Sequence, residues 1–192
     1  MKKTVSILIT ILLITSLATA SAVSTYSPEL GMSMSDFVQK YNAIGSALNS
    51  SLIALNIPIQ WLDIEGNSVT YFMADKNSGT KIFLVSADPD NKNNLSAGLD
   101  QIQIHIESAS DFPALITIAD KCASLFADNI FGTSLSSFAI TYVISYYYEN
   151  VKDGSGYTAY RMLDTEEKYL IQFWKEQSGY YFAITPNTDE YK

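Results

Sequence analysis

The spacing of hydrophobic residues changes several times along this chain, and each change marks a predicted element. Apolar residues recur every three to four positions in segments 35–49, 111–130 and 134–151, so these segments predict three helices. Shorter runs, either alternating or continuously apolar, are bounded by Gly, Asn, Asp and Ser and predict strands. The seven predicted strands cover residues 59–65, 69–74, 80–86, 101–107, 157–163, 168–174 and 180–185.

The order of these elements predicts an α+β fold. One helix, four strands, a helix, a further helix and three strands (α-β-β-β-β-α, then α-β-β-β) favour tandem helix-plus-antiparallel-meander units with helices on one face of the sheet. Strand 101–107 shows the clearest pattern, because Ile102, Ile104 and Ile106 alternate with polar residues and predict one buried and one wet face. Helix 134–151 is apolar almost all round, so we expect it to be covered on more than one side.

The two halves of the chain, 35–131 and 134–186, resemble each other weakly. Each half reads as a helix followed by a meander, and the segment SDFVQKY of the first half matches SSFAITY of the second. A duplication explains this similarity, and so does chance between two helix-plus-hairpin units. The matched positions include Phe37 with Phe138, Tyr41 with Tyr142, Met73 with Phe173, Ile82 with Phe182, Leu84 with Ile184, and Gly79 with Gly179.

The N-terminal residues 1–22 have the pattern of a secretory signal peptide. Lys2 and Lys3 are followed by the mostly apolar run 4–17 and then by small residues with an A-x-A site before Val23. The apolar run is shorter than the roughly 20 residues that a membrane-spanning helix needs. We therefore expect a secreted chain with no membrane insertion after cleavage, a flexible lead-in at 23–34 and a single domain at 35–192.

The charge of the chain limits its partners. The sequence has 12 basic and 20 acidic residues and a formal net charge of −8, and loss of Lys2 and Lys3 with the signal peptide makes this −10. Nucleic acids and anionic lipid surfaces would repel such a protein, so we expect neither as a partner. Arg161 is the only arginine, which excludes an arginine cluster that clamps a phosphate.

The single cysteine, Cys122, cannot form a disulfide within the chain. It shares a helical face with Leu115, Ile118 and Phe126, so we predict a buried thiol that packs as a small apolar side chain. The alternative is a thiol that pairs with another molecule outside the cell. A lipid-anchored protein needs a cysteine directly after the apolar N-terminal run, and Cys122 lies far from that position.

The candidates for catalysis and metal binding are few, and we expect no catalytic residue, cofactor or metal. The sole histidine, His105, falls on the polar face of strand 101–107, where we expect a solvated side chain. Asp63 and Glu65 share one strand face about 7 Å apart, and they are the residues that a carboxylate-only hydrolase would use. Loop 88–94 (DPDNKNN) resembles a calcium loop in composition but breaks its spacing, which favours a plain loop.

Aromatic residues of the C-terminal half are the best candidates for binding. In strands 168–174 and 180–185, tyrosine and tryptophan fall on both faces, while a helix layer covers only one. The face left open would present aromatic rings to an extracellular protein, peptide or glycan; the alternative is that these rings only pack between strands. The candidates are Tyr169, Trp174, Tyr180 and Tyr181, of which at most half can lie on that face.

The sequence thus favours a secreted, non-enzymatic binding or accessory module of undefined oligomeric state. Two alternatives stay open: a secreted hydrolase that uses Asp63 and Glu65, and a structural protein of the cell envelope that associates with itself.

N-terminal sequencing of the secreted protein tests the expected signal peptide and its cleavage site. The mature chain should begin at Val23 or within a few residues of it, because the small residues before it suit signal peptidase. A mature protein that keeps Met1 and stays in the membrane would contradict this prediction.

Overall fold

A computed structural model of the protein describes residues 29–44, 53–56, 58–64, 66–127, 129–130, 133–150 and 158–187. The predicted signal peptide, the cleavage site at Val23 and most of the lead-in lie outside these residues. The described residues form three α-helices, and none of these is long and apolar enough to cross a bilayer. The helices are α1 (Met34–Ala43), α2 (Phe112–Ala123) and α3 (Leu135–Asn150), and a 3-10 turn (Ala109–Asp111) precedes α2.

The main sheet has seven strands, β1 (Gln60–Ile64), β2 (Asn67–Met73), β3 (Lys81–Ser86), β4 (Gln101–Ile106), β7 (Ala159–Met162), β8 (Tyr169–Glu176) and β9 (Gly179–Pro186). They form one antiparallel sheet in the order β1-β2-β3-β4-β9-β8-β7. Strand β4 lies at the centre, with β1–β3 on one side and β7–β9 in reverse order on the other. Two short strands, β5 (Asn129–Ile130) and β6 (Thr133–Ser134), pair separately.

The sheet and the helices form two layers, which confirms the predicted α+β fold. Helix α2 packs on β4 and β9, and α3 packs on β7, β8 and α2. The side chains beneath the helices come from alternate strand positions, such as Ile104, which lies between Ile82 of β3 and Phe182 of β9. We call the opposite side the open face, because no described helix packs on it. The open face bears Tyr71, Phe83, Gln103, His105, Tyr181, Ala183, Gln172, Trp174 and Tyr160.

Helix α1 begins where its capping residues place it. The Ser33 side chain accepts a hydrogen bond from the backbone N–H of Asp36, and the Asp36 carboxylate accepts one from the backbone of Ser33. Such a capping box satisfies N–H groups that the first helical turn leaves unpaired. Phe37 and Tyr41 are fully buried, and the Lys121 ammonium of α2 lies 3.8 Å from the centroid of the Tyr41 ring.

Helix α2 ends seven residues before the predicted end at residue 130. The last turn tightens, because the N–H groups of Leu125 and Phe126 bond to carbonyls three residues back. The Ser124 hydroxyl donates to the Lys121 carbonyl, which further competes with helical bonding. Phe126 then leaves the helix and packs 5.1 Å from Tyr169 of β8, measured between ring centroids.

The sheet order is compatible with the weak internal repeat, but the matched positions do not all share an environment. Two meanders flank β4, and Ile82 and Phe182 are both buried on the helix side. In contrast, Phe37 is fully buried in α1, whereas its match Phe138 is 62% exposed in α3. The two helices thus place these matched residues in different environments, and a duplication stays a prediction.

The turn between β8 and β9 depends on a glycine. It is tighter than the predicted turn at 175–179, because Glu176 pairs with Gly179 and only Gln177 and Ser178 remain between the strands. Gly179 has a φ of +138°, and a Cβ atom there would lie 2.0 Å from the carbonyl oxygen of Ile106. Gly79, at the end of the β2–β3 turn, has a φ of +67° but open space around it.

Gly179→Ala should therefore destabilise the fold more than Gly79→Ala. The Gly79 variant should lose about 1–2 kcal/mol, the cost of a left-handed residue that carries a Cβ atom. The Gly179 variant should lose about 1–3 kcal/mol more, because the backbone of β4 must move to relieve the clash. Urea unfolding followed by circular dichroism measures both, and equal losses would show that the close approach to Ile106 is unimportant.

Candidate binding surfaces

The four aromatic residues predicted for binding divide equally between the two faces of the sheet. Tyr169 and Tyr180 lie on the helix side. The ring centroids of Tyr180 and Phe112 are 4.8 Å apart, and Tyr169 packs against Phe126. Their neighbours Trp174 and Tyr181 lie on the open face, since successive strand residues point to opposite sides. Only these two could contact a partner of the open face.

Trp174 and Tyr181 belong to a row of three rings that we call the aromatic row. The row runs across β4, β9 and β8 as His105, Tyr181 and Trp174, with centroids 4.6 Å and 5.3 Å apart. The Trp174 and Tyr181 rings are nearly parallel, at 10°. Stacking of this kind is worth about 0.5–1.5 kcal/mol beyond the burial of the rings.

The polar atoms of the aromatic row form hydrogen bonds with the β8–β9 turn and with the last residue of β8. The Ser178 hydroxyl lies 2.8 Å from the Tyr181 hydroxyl, and the Ser178 carbonyl lies 3.0 Å from His105 Nε2. The Trp174 Nε1–H donates to a carboxylate oxygen of Glu176 at 2.9 Å. These contacts fix the ring positions, and they leave the aromatic row fewer free polar groups for a partner.

His105 is not the solvated side chain that the sequence predicts. It lies on the predicted face, but only 8% of its surface is exposed. The ring of Tyr181 packs against it from the next strand, and the tight turn at Gly179 brings the Ser178 carbonyl to within 3.0 Å of its Nε2. Strand alternation reports the face of a residue, whereas burial on that face depends on partners distant in sequence.

Beside the aromatic row lies a second row, the amide lane, formed by Gln103, Ala183 and Gln172 at paired positions of β4, β9 and β8. Neither Gln103 nor Gln172 makes a side-chain hydrogen bond within the part of the chain that the structure describes. Ala183 at the centre of the lane is fully buried, Gln172 is 8% exposed and Gln103 is half-buried. Phe83 pairs with Gln103 at one end and Tyr160 with Gln172 at the other.

The aromatic ends of the amide lane differ in exposure. Phe83 is half-buried and packs 5.3 Å from Tyr71, measured between ring centroids. Tyr160 is 51% exposed on the edge strand β7. From Phe83 to Tyr160 no position of the lane is charged, so the lane suits an uncharged ligand.

Helix α3 carries exposed aromatic residues that the sequence did not lead us to expect. Phe138 is 62% and Tyr142 is 42% exposed, and Tyr146 continues this stripe one turn further along. The expectation that α3 is covered on more than one side is therefore wrong for this stripe. Its buried side comprises Ala139, Ile140, Val143 and Tyr147.

The sequence signal for this stripe is that the segment of α3 is apolar almost all round. An apolar helix at the end of a sheet has only one layer to pack on, so part of its surface must stay open. Arg161 of the edge strand β7 lies beside the stripe, with its guanidinium carbon 4.5 Å from the Tyr142 ring centroid and 5.1 Å from that of Phe138. A cation over aromatic faces is a favourable contact.

Asp63, a residue of the hydrolase alternative, has a local structural role. Its carboxylate accepts a hydrogen bond from the Gly66 N–H at 3.2 Å and lies 3.6 Å from the Lys92 ammonium. The side chain is largely exposed, on a hairpin at the sheet edge. Glu65 lies outside the described residues, so the predicted distance between the two carboxylates stays a prediction.

Loop 88–94 is organised around Asp88. One carboxylate oxygen accepts from the N–H groups of Asp90 and Asn91, and the other from the Asn91 amide and the Gly98 N–H. Burial raises the pKa of Asp88, but these hydrogen bonds outweigh burial and hold the pKa below its usual value. Among the described residues no group of three or more His, Cys, Asp or Glu side chains could hold a metal ion.

Cys122 is fully buried in the core, which confirms the predicted environment of its thiol. Burial raises the pKa of the thiol well above its usual value, and the neighbouring Lys121 only partly opposes this. Since the thiolate is the reactive form, Cys122 is a packing residue in the folded chain.

Comparison with protein-family models, with curated proteins and with solved structures found no match.

Asp88→Asn should destabilise the protein by about 1–3 kcal/mol at pH 7. The NH2 group of the asparagine would replace one carboxylate oxygen and would face N–H donors that this oxygen now accepts from. A lowered pKa means that Asp88 stabilises the fold above its unfolded pKa of about 3.9 and that this contribution fades as the pH falls through the folded pKa. The stability difference between Asp88→Asn and the unchanged protein should therefore shrink toward pH 3.

Urea unfolding at several pH values measures this difference, with Asp90→Asn as the control. Asp90 is the exposed neighbour of Asp88, and its replacement removes the same charge from the same loop. A difference that stays constant with pH, or an equal effect of both variants, would contradict the prediction.

Proposed function

We propose that this chain is an exported, non-enzymatic binding module whose open face binds a neutral glycan. The amide lane is the observation that carries the proposal: two glutamine amides without hydrogen-bond partners in the described chain flank a small residue. Export is supported by the signal-peptide pattern of residues 1–22.

The side chains of the open face match the surface of a sugar. A pyranose ring offers hydroxyl groups around its rim that both donate and accept hydrogen bonds, and a glutamine amide does both. The same ring offers an apolar C–H surface that packs on aromatic side chains, such as Phe83 and Tyr160 at the ends of the lane.

Charge favours a neutral glycan over an acidic one. The amide lane has no charged side chain, and the chain as a whole is strongly acidic. A glycan that carries carboxylate or sulfate groups would be repelled over distances of about 10 Å at 0.1 M salt.

A peptide is the second ligand that the sequence predicted, and the position of the lane disfavours it. Extended peptides bind sheets chiefly by adding a strand at an edge, where backbone groups are unpaired. The amide lane crosses β4, β9 and β8, which are interior strands with partners on both sides. A ligand of the lane must therefore be recognised by side chains.

Gln103→Leu and Gln172→Leu test the proposal, because leucine keeps a similar volume and removes the amide. Each variant should weaken binding to neutral oligosaccharides about tenfold or more, since sugar hydroxyls lose a partner worth about 1.5 kcal/mol. A glycan array screen of the secreted protein, followed by calorimetry with the best oligosaccharide, provides the measurement.

Gln39→Leu, on the exposed surface of α1 in the helix layer, is the matched control and should bind as the unchanged protein does. Trp174→Ala and Tyr181→Ala test the neighbouring aromatic row in the same assay. Full binding by both amide variants would exclude the lane. Glycan hydrolysis that Asp63→Asn abolishes would favour the enzyme alternative, and self-association without glycan binding would favour a structural role.

A further inference from the structure

A pocket of about 390 Å³ lies between the beginning of α3 and the end of β7, on the helix side of the sheet. One wall is the first part of α3, and the other is the edge strand with the turn that follows it. The pocket is lined by Phe138, Ala139, Arg161, Met162, Leu163, Asp164 and Thr165. Most of these side chains are apolar, and Arg161 is the only cation.

The Arg161 guanidinium is held in place by aromatic rings and has no carboxylate partner in the described chain. Its contacts are with the rings of Phe138 and Tyr142, and the three ion pairs among the described residues are all made by lysines. Stacking occupies the face of a guanidinium, while its N–H groups radiate from the edge. The hydrogen-bonding edge of Arg161 is thus available at the pocket.

The carboxylates near the pocket are engaged with the chain itself. Asp164 lines the pocket, but its Oδ1 accepts hydrogen bonds from the N–H groups of Lys168 and Tyr169 at 2.9 and 3.1 Å. Asp120 accepts hydrogen bonds from two serine hydroxyls at the start of α3, both at 2.7 Å. Neither acid forms an ion pair with the guanidinium.

We propose that this pocket binds an organic monocarboxylate with an aromatic or apolar body. A carboxylate accepts two parallel hydrogen bonds from one guanidinium, which is the strongest match for its fork of donors. Phe138 and Leu163 line the space that the apolar body fills. The volume is near the lower end of the range of about 300–1,000 Å³ for small-molecule sites, so the ligand is small.

The charge balance selects a monoanion. Arg161 supplies one positive charge, Asp164 stands at the pocket wall, and the chain carries a net charge of −8. A phosphate dianion would meet the same single cation and a larger repulsion from the surrounding acids.

This pocket is separate from the open face. Arg161 and Tyr160 are successive residues of β7 and point to opposite sides of the sheet, so the pocket and the amide lane lie on different faces. A negative result in the glycan assay would therefore not contradict the carboxylate site. A negative result with carboxylates would likewise not contradict glycan binding at the amide lane.

Phenylacetate and phenylacetamide provide the first test, because they share an apolar body and differ in the negative charge. Titration of the full secreted chain, followed by NMR chemical shifts or calorimetry, should give at least tenfold tighter binding of phenylacetate. Equal affinity for the two compounds, or no binding of phenylacetate at millimolar concentration, would overturn the proposal.

Arg161→Gln should weaken phenylacetate binding at least tenfold, and Arg161→Lys should restore only part of it, since an ammonium lacks the fork. Phe138→Ala should also weaken binding, and its exposed side chain can be removed with little effect on folding. Lys76→Gln is the charge-matched control on the β2–β3 turn and should bind normally. Unchanged affinity in folded Arg161→Gln and Phe138→Ala would contradict the assignment.

The same assay distinguishes two sources of the carboxylate. A short peptide that ends in phenylalanine with a free carboxylate is compared with its amidated form and with phenylacetate. Tighter binding of the free peptide than of phenylacetate would identify a polypeptide C-terminus as the ligand, and the reverse order would identify a free organic acid. If the amidated peptide binds as tightly as the free peptide, the proposal fails.

Discussion

Strand β4 joins the two halves of the sheet, and the rest of the structure depends on the burial of its isoleucines. Ile102, Ile104 and Ile106 are almost completely buried beneath α2, between apolar side chains of β3 and β9. Burying one such side chain contributes about 1.5–3 kcal/mol. Because β3 and β9 both pair with β4, this row fixes which face of each meander lies under the helices. The same row therefore also determines which side of the sheet is the open face and which is the helix side, where the pocket beside α3 lies.

Much of the fold could be predicted from the sequence, because its signals are local. Alternation in β4 and helical spacing in α3 predict these elements with boundaries close to those observed, whereas α1 ends at Ala43, six residues before the predicted end at residue 49. The predicted end of α2 is wrong, because apolar residues of the following turn continue the helical spacing after the hydrogen bonding has changed. The pairing of β4 with β9 joins residues about 80 positions apart, and no local pattern encodes a pairing of such range.

The candidate surfaces were less accessible to sequence reasoning. Alternation separates Trp174 and Tyr181 from Tyr169 and Tyr180, but the position of the helices, which no strand pattern encodes, decides which pair faces outward. No sequence pattern predicts the amide lane, because its glutamines lie on strands that become neighbours only in the folded sheet. The partner of Arg161 is likewise non-local: its guanidinium meets rings of α3 across a stretch of about 20 residues.

The sheet order also constrains how the chain folds as it is synthesised. Strands β1–β4 can pair as soon as they emerge, but β4 then remains an uncovered edge until β9, near the C-terminus, arrives. An exposed strand edge with an apolar face is a template for pairing with other chains. The nascent protein thus passes through a stage that is prone to aggregation, and loss of its last 15 residues would make that stage permanent, because the strand that closes the sheet would be gone.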